Sequence, residues 1–167
     1  MAINNKMSYR VGQGYDVHRL ATEETLWLGG VLIPHSKGTV AHSDGDVLIH
    51  AICDALLGAA GLGNIGLLFP DTSVKFENID SKILLKKTCT LVQENGFTIV
   101  NIDSTLIAQN PRLNPWIPQM VNVMAGVLEI DPGRVSVKAT TTEKLGFEGR
   151  EEGISAQAVV LLKETDG

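Results

Sequence analysis

The 167-residue sequence has few cysteines, few aromatic residues and fewer basic than acidic side chains. Its two cysteines, Cys53 and Cys89, lie in separate apolar segments and form no CxxC pair, which excludes a disulfide framework and a cysteine-based zinc knuckle. With 14 Lys and Arg against 19 Asp and Glu, and 5% aromatic residues, the chain lacks the basic surface and the stacking residues of a nucleic-acid-binding protein. Isolated reduced cysteines predict a cytoplasmic protein.

Long apolar runs are also missing. The most apolar stretch, residues 55–68, is interrupted by several glycines and is shorter than the roughly 20 residues of a membrane-spanning helix. Residues 1–7 contain no apolar run and are expected to be a disordered lead-in. With 44% hydrophobic residues the chain can build a sizeable core, so we expect one domain over residues 1–167 that binds neither membrane nor nucleic acid.

The hydrophobic pattern predicts the order strand, strand, helix, helix, strand, helix, strand, strand. The predicted strands cover residues 9–18, 26–33, 97–108, 134–139 and 154–163. The predicted helices cover residues 47–62 and 79–95 and a third segment that follows a proline-rich turn and ends near 128, whereas residues 63–73 are predicted to be a loop. This order favours an α+β fold with a mixed four- to five-stranded sheet and helices on one face.

Asp16, His18 and His50 are the strongest candidates for metal ligands. Asp16 and His18 are two residues apart on a predicted strand, so they share one face, and His50 lies on a predicted buried helix. Mixed imidazole and carboxylate ligands suit zinc, and Asp54, one turn after His50, could orient its ring. The alternative is that His18 lies in solvent at a strand end and His50 is a hydrogen-bonded core residue.

A second group of residues has the chemistry of an anion site. His42 and Ser43 directly precede a predicted helix, where free backbone N–H groups favour an anion. Thr140 to Thr142 follow a predicted strand and offer hydroxyl donors, and Glu143 offers an oxygen ligand for Mg²⁺. Each segment alone is also an ordinary capping segment or turn. Together with a metal cluster, they favour phosphate-ester chemistry over a pure binding role.

Five segments carry a resemblance to a known family. They are GQGYDVHRL, AHSDGDVLIHAICDALLGAAGLGNIG, FPDTS, IAQNPRL and VKATTTEKLGFEGREEGI. In this order they resemble the 2-C-methyl-D-erythritol 2,4-cyclodiphosphate synthase family, lyases that close a ring in the non-mevalonate pathway of isoprenoid biosynthesis. The resemblance extends from about residue 9 to residue 163, and the five segments occur in the same order as the similar motifs of the family.

The resemblance implies a homotrimeric enzyme with active sites between adjacent subunits. The enzyme would convert 4-diphosphocytidyl-2-C-methyl-D-erythritol 2-phosphate to the 2,4-cyclodiphosphate and release CMP. Asp16, His18 and His50 would hold Zn²⁺, and Glu143 would hold Mg²⁺ or Mn²⁺ on the substrate phosphates. His42 and Thr141 would stabilise the transition state. An isoprenoid diphosphate at the trimer axis is a further expected ligand.

The same resemblance implies a set of substrate contacts. They are Ser43 at the reacting phosphate; Asn64, Ile65, Gly66, Phe69, Pro70, Asp71, Thr72 and Ser73 at the ribose and methylerythritol phosphate; Ala108, Gln109, Asn110, Pro111, Arg112, Leu113, Asn114, Thr140 and Thr142 at the cytidine diphosphate; and Phe147 and Arg150 at further positions. Asn64 and Ser73 stand where the family usually has Asp.

Two other classes of function use the same metal ligands. A zinc-dependent sensor would bind its ligand without turnover, and a zinc hydrolase would use metal-bound water to cleave an ester. The predicted second metal at Glu143 favours cyclisation over a sensor, since binding alone needs no second cation. A hydrolase needs a general base beside the open zinc position, and no carboxylate is clearly assigned there.

Overall fold

The structure is a computed structural model that describes residues 8–70 and 79–165. Its strands are β1 (Tyr9–Thr22), β2 (Leu26–Leu28), β3 (Val31–Ile33), β4 (Lys37–Val40), β5 (Phe97–Ile107), β6 (Val135–Thr140) and β7 (Gly153–Glu164). Its α-helices are α1 (Val47–Ala60), α2 (Ile65–Leu68), α3 (Ser81–Glu94), α4 (Ile117–Leu128) and α5 (Gly146–Gly149), and short 3₁₀ turns cover Asn114–Trp116 and Pro132–Arg134.

Five strands form the main sheet, in the order β4-β1-β7-β5-β6. β5 and β6 run parallel, and the other neighbours run antiparallel. Helix α1 packs across β1 and β7, and α3 and α4 lie on the same side, over β5 and β6. The predicted α+β fold with a mixed sheet and helices on one face is therefore confirmed.

Two glycines in β1 let α1 approach the sheet very closely. A Cβ atom built on Gly12 would lie 1.9 Å from the backbone oxygen of Ala55, and one on Gly14 would lie 1.9 Å from that of Ala51. No larger residue fits there without a shift of the helix or the strand. The first turn of α1, which contains His50, is thereby held against β1.

Two local predictions are wrong, and one strand was not predicted. The segment 26–33 is a hairpin of β2 and β3, because Gly29 and Gly30 adopt φ values of +59° and +74° and reverse the chain between them. β4, which pairs with the end of β1, was not predicted. Helix α2 lies inside the segment predicted to be a loop, and the Asn64 side chain caps its first turn.

The sheet face away from the helices is open and partly apolar. Tyr9, Val11, Tyr15 and Val17 of β1 lie on it, with 55%, 70%, 47% and 42% of their surface exposed. These are the residues that the alternating pattern of β1 assigns to one side of the strand. In the described part of the chain, no helix is both long enough and apolar enough to cross a membrane.

Candidate active site

Three candidate metal ligands meet where β1 faces the first turn of α1. Asp16 Oδ2 lies 2.9 Å from His18 Nε2 and 3.1 Å from His50 Nδ1. The two imidazole nitrogens lie 3.1 Å apart. Strand periodicity puts Asp16 and His18 on the α1 side of β1, the side of Gly12 and Gly14, and the close packing of α1 brings His50 to them. The predicted cluster is therefore assembled by the fold.

Electrostatic contacts within the cluster shift the pKa values of Asp16 and His50. Burial alone would raise the pKa of Asp16, but the hydrogen bonds and positive charge of His18 and His50 outweigh it and lower that pKa from 3.8 to about 2. Burial would lower the pKa of His50, and the Asp16 carboxylate outweighs that effect, so the pKa of His50 is raised. A carboxylate that stabilises a proton on an adjacent imidazole can stabilise a metal cation at the same point.

The three ligand atoms fit a tetrahedral metal site. A zinc ion with bonds of about 2.0–2.1 Å holds its ligand atoms about 3.3 Å apart. The observed separations of 2.9 to 3.1 Å need to widen by only a few tenths of an ångström. Three protein ligands leave a fourth position for a substrate oxygen, the arrangement of a catalytic rather than a structural site.

The outer nitrogen of His50 contacts two serines. Nε2 lies 3.3 Å from Ser43 Oγ and 3.0 Å from Ser81 Oγ. Asp54, predicted to orient this ring, instead accepts a hydrogen bond of 2.7 Å from the backbone N–H of Ile65, so that prediction is wrong. Ser81 was missed because it is 31 residues from His50 and looks in the sequence like an ordinary serine at the start of a helix.

The metal cluster opens into a cavity of about 300 Å³. Its lining consists of His18, Ala41, His42, Ser43, His50, Ile65, Gly66, Phe69, Ile79 and Leu84. His42 and Ser43 of the predicted anion site, and the predicted substrate contacts Ile65, Gly66 and Phe69, are thus brought together beside the candidate metal ligands, whereas Thr140 to Thr142 and Glu143 do not line this cavity. The imidazole and hydroxyl groups can donate to an anion bound in this cavity.

The next predicted contacts lie at the edge of the described region. Asn64 caps α2, and its Oδ1 accepts a hydrogen bond of 3.0 Å from the N–H of Leu67. The helix that it caps supplies Ile65 and Gly66 to the cavity. Pro70 is exposed. Asp71, Thr72 and Ser73 lie outside the described residues.

A second cavity, of about 410 Å³, lies at the ends of β5 and β6. Ala108, Gln109, Pro111, Arg112, Leu113, Asn114, Pro115, Ala139, Thr140 and Thr141 line it. These segments meet because β5 and β6 are parallel and in register, with Ile107 beside Thr140, so that both chains leave the sheet at the same edge. Six of the seven residues of the predicted cytidine segment 108–114, all but Asn110, therefore line one cavity together with Thr140 and Thr141.

The turn after β6 is held by its own side chains. Thr141 Oγ1 donates to Glu143 Oε1 at 3.3 Å and accepts from the Glu143 N–H at 3.2 Å. Glu143 adopts a left-handed backbone with φ of +53°, and Thr142 donates to the carbonyl of Leu145. Glu143 is exposed, so its second carboxylate oxygen can reach a bound cation.

The predicted contacts Asn110, Thr142, Phe147 and Arg150 line neither of these two cavities. Asn110 Nδ2 donates to Glu151 Oε1 at 2.7 Å. The Phe147 ring lies against the first residue of β7. Arg150 makes a two-pronged ion pair with Glu152, with distances of 2.9 and 3.0 Å, on the surface of the subunit.

The two cavities lie at the same end of the sheet but share no lining residue among the described parts of the chain. His18 pairs with Ile154, and Ile107 pairs with Ser155, so both cavities adjoin the start of β7. A substrate that contacts both the Asp-His-His cluster and the loop of Thr140 to Thr142 has to extend across two separate cavities.

Taken together, the mixed sheet, the Asp-His-His cluster and the adjoining polar groups define an α+β protein with a cluster able to bind a metal in an open, catalytic arrangement. Its sequence matches the model described as the YgbB family over residues 9–163, and the chain belongs to that family.

Named relatives agree with this assignment. The chain is 57% identical to 2-C-methyl-D-erythritol 2,4-cyclodiphosphate synthase of Parabacteroides distasonis, over 94% of this chain and 98% of the relative. The bifunctional IspDF of Campylobacter jejuni is 48% identical with a TM-score of 0.93, over 96% of this chain and 44% of that one. The CDP complex of IspF from Plasmodium falciparum is 37% identical with a TM-score of 0.84, over 95% and 98% of the two chains. The predicted family and the prediction of an enzyme are confirmed.

Proposed function

We propose that the chain converts 4-diphosphocytidyl-2-C-methyl-D-erythritol 2-phosphate to 2-C-methyl-D-erythritol 2,4-cyclodiphosphate and CMP, a step of isoprenoid precursor biosynthesis. The observation that carries this proposal is the metal cluster of Asp16, His18 and His50, which opens into a cavity that His42 and Ser43 also line. Metal ligands and anion donors around one space suit a reaction at a phosphate group. The 57% identity to a synthase of this name, over nearly the full length of both chains, supports the proposal.

The reaction needs no protein nucleophile. An oxygen of the substrate's 2-phosphate attacks the β phosphorus of the diphosphate. The bond from that phosphorus to the oxygen bridging to the α phosphorus breaks, and this oxygen leaves with CMP. No water is consumed. The work of the enzyme is therefore to fold a flexible polyanion and to offset its charge, which are positioning and electrostatic effects.

The residues around the metal cluster have distinct proposed roles. Asp16, His18 and His50 would hold Zn²⁺, and Glu143 would hold Mg²⁺ or Mn²⁺ with the substrate phosphates. When bound, the two cations would offset phosphate charge and favour attack at phosphorus. His42 and Thr141 would donate hydrogen bonds to the oxygens that gain charge as the new bond forms. A chain of net charge −5 can bind this anion because the local groups, not the total charge, set the field at the site.

The cavity at the ends of β5 and β6 is the proposed cytidine site. Thr140 and the segment Ala108 to Asn114, except Asn110, line a concave space whose volume, about 410 Å³, is in the range of small-ligand sites. Its backbone amides and carbonyls can pair with the edge of a base. The related Plasmodium falciparum structure is a CDP complex, which supports a cytidine nucleotide as the ligand.

A homotrimer would join the two cavities. In a cyclic trimer each interface brings two different surfaces together, so the cytidine cavity of one subunit can meet the metal cavity of the next. The open face of β1, with Val11 70% exposed, supplies apolar surface for such an interface. We keep the prediction of an isoprenoid diphosphate at the trimer axis, where Arg150 and Glu152 would lie. The proposal also includes one catalytic domain and a cytoplasmic location.

Phosphorus NMR tests the proposed activity. The chain is incubated with the cytidylyl substrate, Zn²⁺ and Mg²⁺ in ¹⁸O-labelled water, with the His50→Ala variant as control. We expect CMP and the cyclic diphosphate in equal amounts, both free of ¹⁸O, and no turnover by the variant. CMP or phosphate products that carry ¹⁸O would indicate a hydrolase, and tight binding without CMP would indicate a sensor.

A further inference from the structure

Asp44 and Ser81 form a hydrogen-bonded pair behind the metal ligand His50. The Ser81 hydroxyl donates to Asp44 Oδ1, and the Ser81 backbone N–H donates to Asp44 Oδ2 at 2.8 Å. The Asp44 N–H in turn donates to the carbonyl of Ile79 at 3.2 Å. Asp44, in the loop before α1, is thereby joined by two hydrogen bonds to the first residue of α3 and by a third to the segment that precedes this helix.

The direction of these hydrogen bonds fixes the role of the Ser81 oxygen. A serine hydroxyl has one proton, and the short contact with the Asp44 carboxylate takes it. Ser81 Oγ therefore faces His50 Nε2, at 3.0 Å, as an acceptor. Nε2 must carry the hydrogen for this contact to be favourable, since two facing lone pairs would repel.

The same hydrogen decides which nitrogen of His50 can bind a metal. When a cation takes the place of the proton that Asp16 otherwise stabilises and Nε2 keeps its hydrogen, the ring lone pair that binds the cation is on Nδ1. Nδ1 is the atom that lies 3.1 Å from Asp16 Oδ2 and 3.1 Å from His18 Nε2. The opposite tautomer would point an N–H at the metal position and would exclude the cation.

We infer that Asp44 and Ser81 are positioning residues that hold His50 in the tautomer and ring orientation needed for metal binding. The inference rests on the proposed metal centre. Ser81 has no solvent-exposed surface, so bulk water is not at hand to take over its contact with Nε2. Ser43 Oγ lies farther from Nε2, at 3.3 Å, and already accepts the Gly45 N–H, so it supports the ring without replacing Ser81.

Zinc affinity of purified variants tests the inference without relying on activity. Partners of this kind behind a ligating histidine change metal affinity about 10- to 100-fold. Chelator competition should show that Ser81→Ala binds Zn²⁺ about 10- to 100-fold more weakly than the wild type. Ser104→Ala is the matched control: this serine is also buried, and its hydroxyl donates 2.9 Å to the carbonyl of Ser136 in the sheet, away from the metal ligands. It should bind zinc like the wild type.

Asp44→Asn provides a second variant in case Ser81→Ala does not fold. An amide at position 44 can donate to Ser81 Oγ, which frees the serine proton to point at Nε2 and favours the wrong tautomer. Long-range proton–nitrogen NMR of the zinc-loaded wild type should show a slowly exchanging hydrogen on His50 Nε2 that exchanges faster in Asp44→Asn. Zinc affinity within twofold of wild type in both variants would overturn the inference. If the wild type itself bound no zinc, the proposed metal centre would fail instead.

Discussion

At the scale of single residues, Asn64 combines a structural role with a predicted substrate contact. Its side chain caps α2, and Asp and Asn are about equally good at this position. Asn64→Asp should therefore keep the fold and change KM for the cytidylyl substrate by less than about tenfold, with kcat nearly unchanged, because the ribose is remote from the reacting phosphorus. Steady-state kinetics measure both constants.

The alanine variant separates the two roles of Asn64. Asn64→Ala loses the cap, at a cost of about 0.5–2 kcal/mol, and also the ribose contact, so it should raise KM more than Asn64→Asp. Thermal unfolding of both variants measures the loss of stability that comes from the missing cap. A fall in kcat by orders of magnitude with an unaltered KM would place Asn64 at the transition state and would contradict the ribose contact.

The two cysteines should be unreactive in the folded chain. Both are buried, and burial raises the pKa of the Cys53 thiol to about 12 and also raises that of Cys89. At about pH 8 only about one Cys53 side chain in ten thousand is then a thiolate, the reactive form. A thiol reagent should label neither cysteine in the native protein and two per chain after denaturation. Fast labelling of the native protein would show that the helix that carries the labelled cysteine opens, which is α1 for Cys53 and α3 for Cys89.

Sequence patterns predicted the cluster of Asp16, His18 and His50 better than the groups around it. Asp16 and His18 could be found because strand periodicity puts them on one face, and His50 because a polar residue stood out on an apolar helix. Asp54 lies one helical turn after His50 on the same face, yet its carboxylate accepts a hydrogen bond from the first residue of α2 instead of contacting His50. Ser81 and Asp44 meet only through the packing of α3 on the loop before α1, which no local pattern reports.

At the scale of elements, the contact of α1 with β1 depends on small residues. Gly14→Ala would put a Cβ atom 1.9 Å from a backbone oxygen of α1, which neither element can avoid without moving. We expect a loss of about 1–3 kcal/mol in the free energy of unfolding, as is typical of overpacked cores. Urea unfolding measures the loss. Zinc binding should weaken as well, because α1 carries His50.

Gly58 provides the control for this experiment. It lies in the same helix, its side is exposed, and a Cβ atom there would meet nothing within 4 Å. Gly58→Ala should therefore stabilise the protein by about 0.5–1 kcal/mol, since alanine loses less backbone entropy in a helix. Equal effects of the two substitutions would show that the sheet does not require a glycine at position 14.

Most long periodic elements could be predicted from the sequence, and the elements of three or four residues could not. The 14-residue β1 ends four residues beyond its predicted end, whereas the six-residue β6 lies within one residue of its predicted bounds. α1, α3, β5 and β7 each span 11 to 14 residues and start and end within two residues of the predicted bounds. β4 and α2 have four residues each, too few to show a period, and exist because of their partners: the end of β1 for β4, and the Asn64 and Asp54 side chains for α2. The β2–β3 turn was missed because its two glycines lie within an apolar run.

At the scale of the whole molecule, strand order was the part of the fold that the sequence left open. The last strand, β7, lies between β1 and β5, and these pairings join residues at least 48 positions apart. Hydrophobic periodicity carries no information on such partners. Yet this order is what brings the metal cavity and the cytidine cavity to the same end of the sheet, so the site geometry could only come from the structure or from the family resemblance.

Mixing two inactive variants tests whether neighbouring subunits share the active site. Thr141 lines the cytidine cavity and His18 lines the metal cavity. In a cyclic trimer with sites at its interfaces, a Thr141→Ala chain can supply an intact metal cavity to a His18→Ala chain, which supplies an intact threonine loop. Random trimers refolded from equal amounts of both should have about a quarter of their sites intact and so regain about a quarter of wild-type activity.

Two further samples make this result interpretable. Wild type refolded with an equal amount of the double variant should also keep about a quarter of its activity if sites are shared, but about half if each chain forms its own site. Each single variant refolded alone should stay inactive. Solution mass at the assay concentration, measured by light scattering, should be about three times that of one chain. An active species with the mass of a single chain would show that the shared-site trimer is wrong. The same conclusion would follow if the two single variants regained no activity together while the wild-type mixture kept half, because both cavities would then belong to the active site of one subunit.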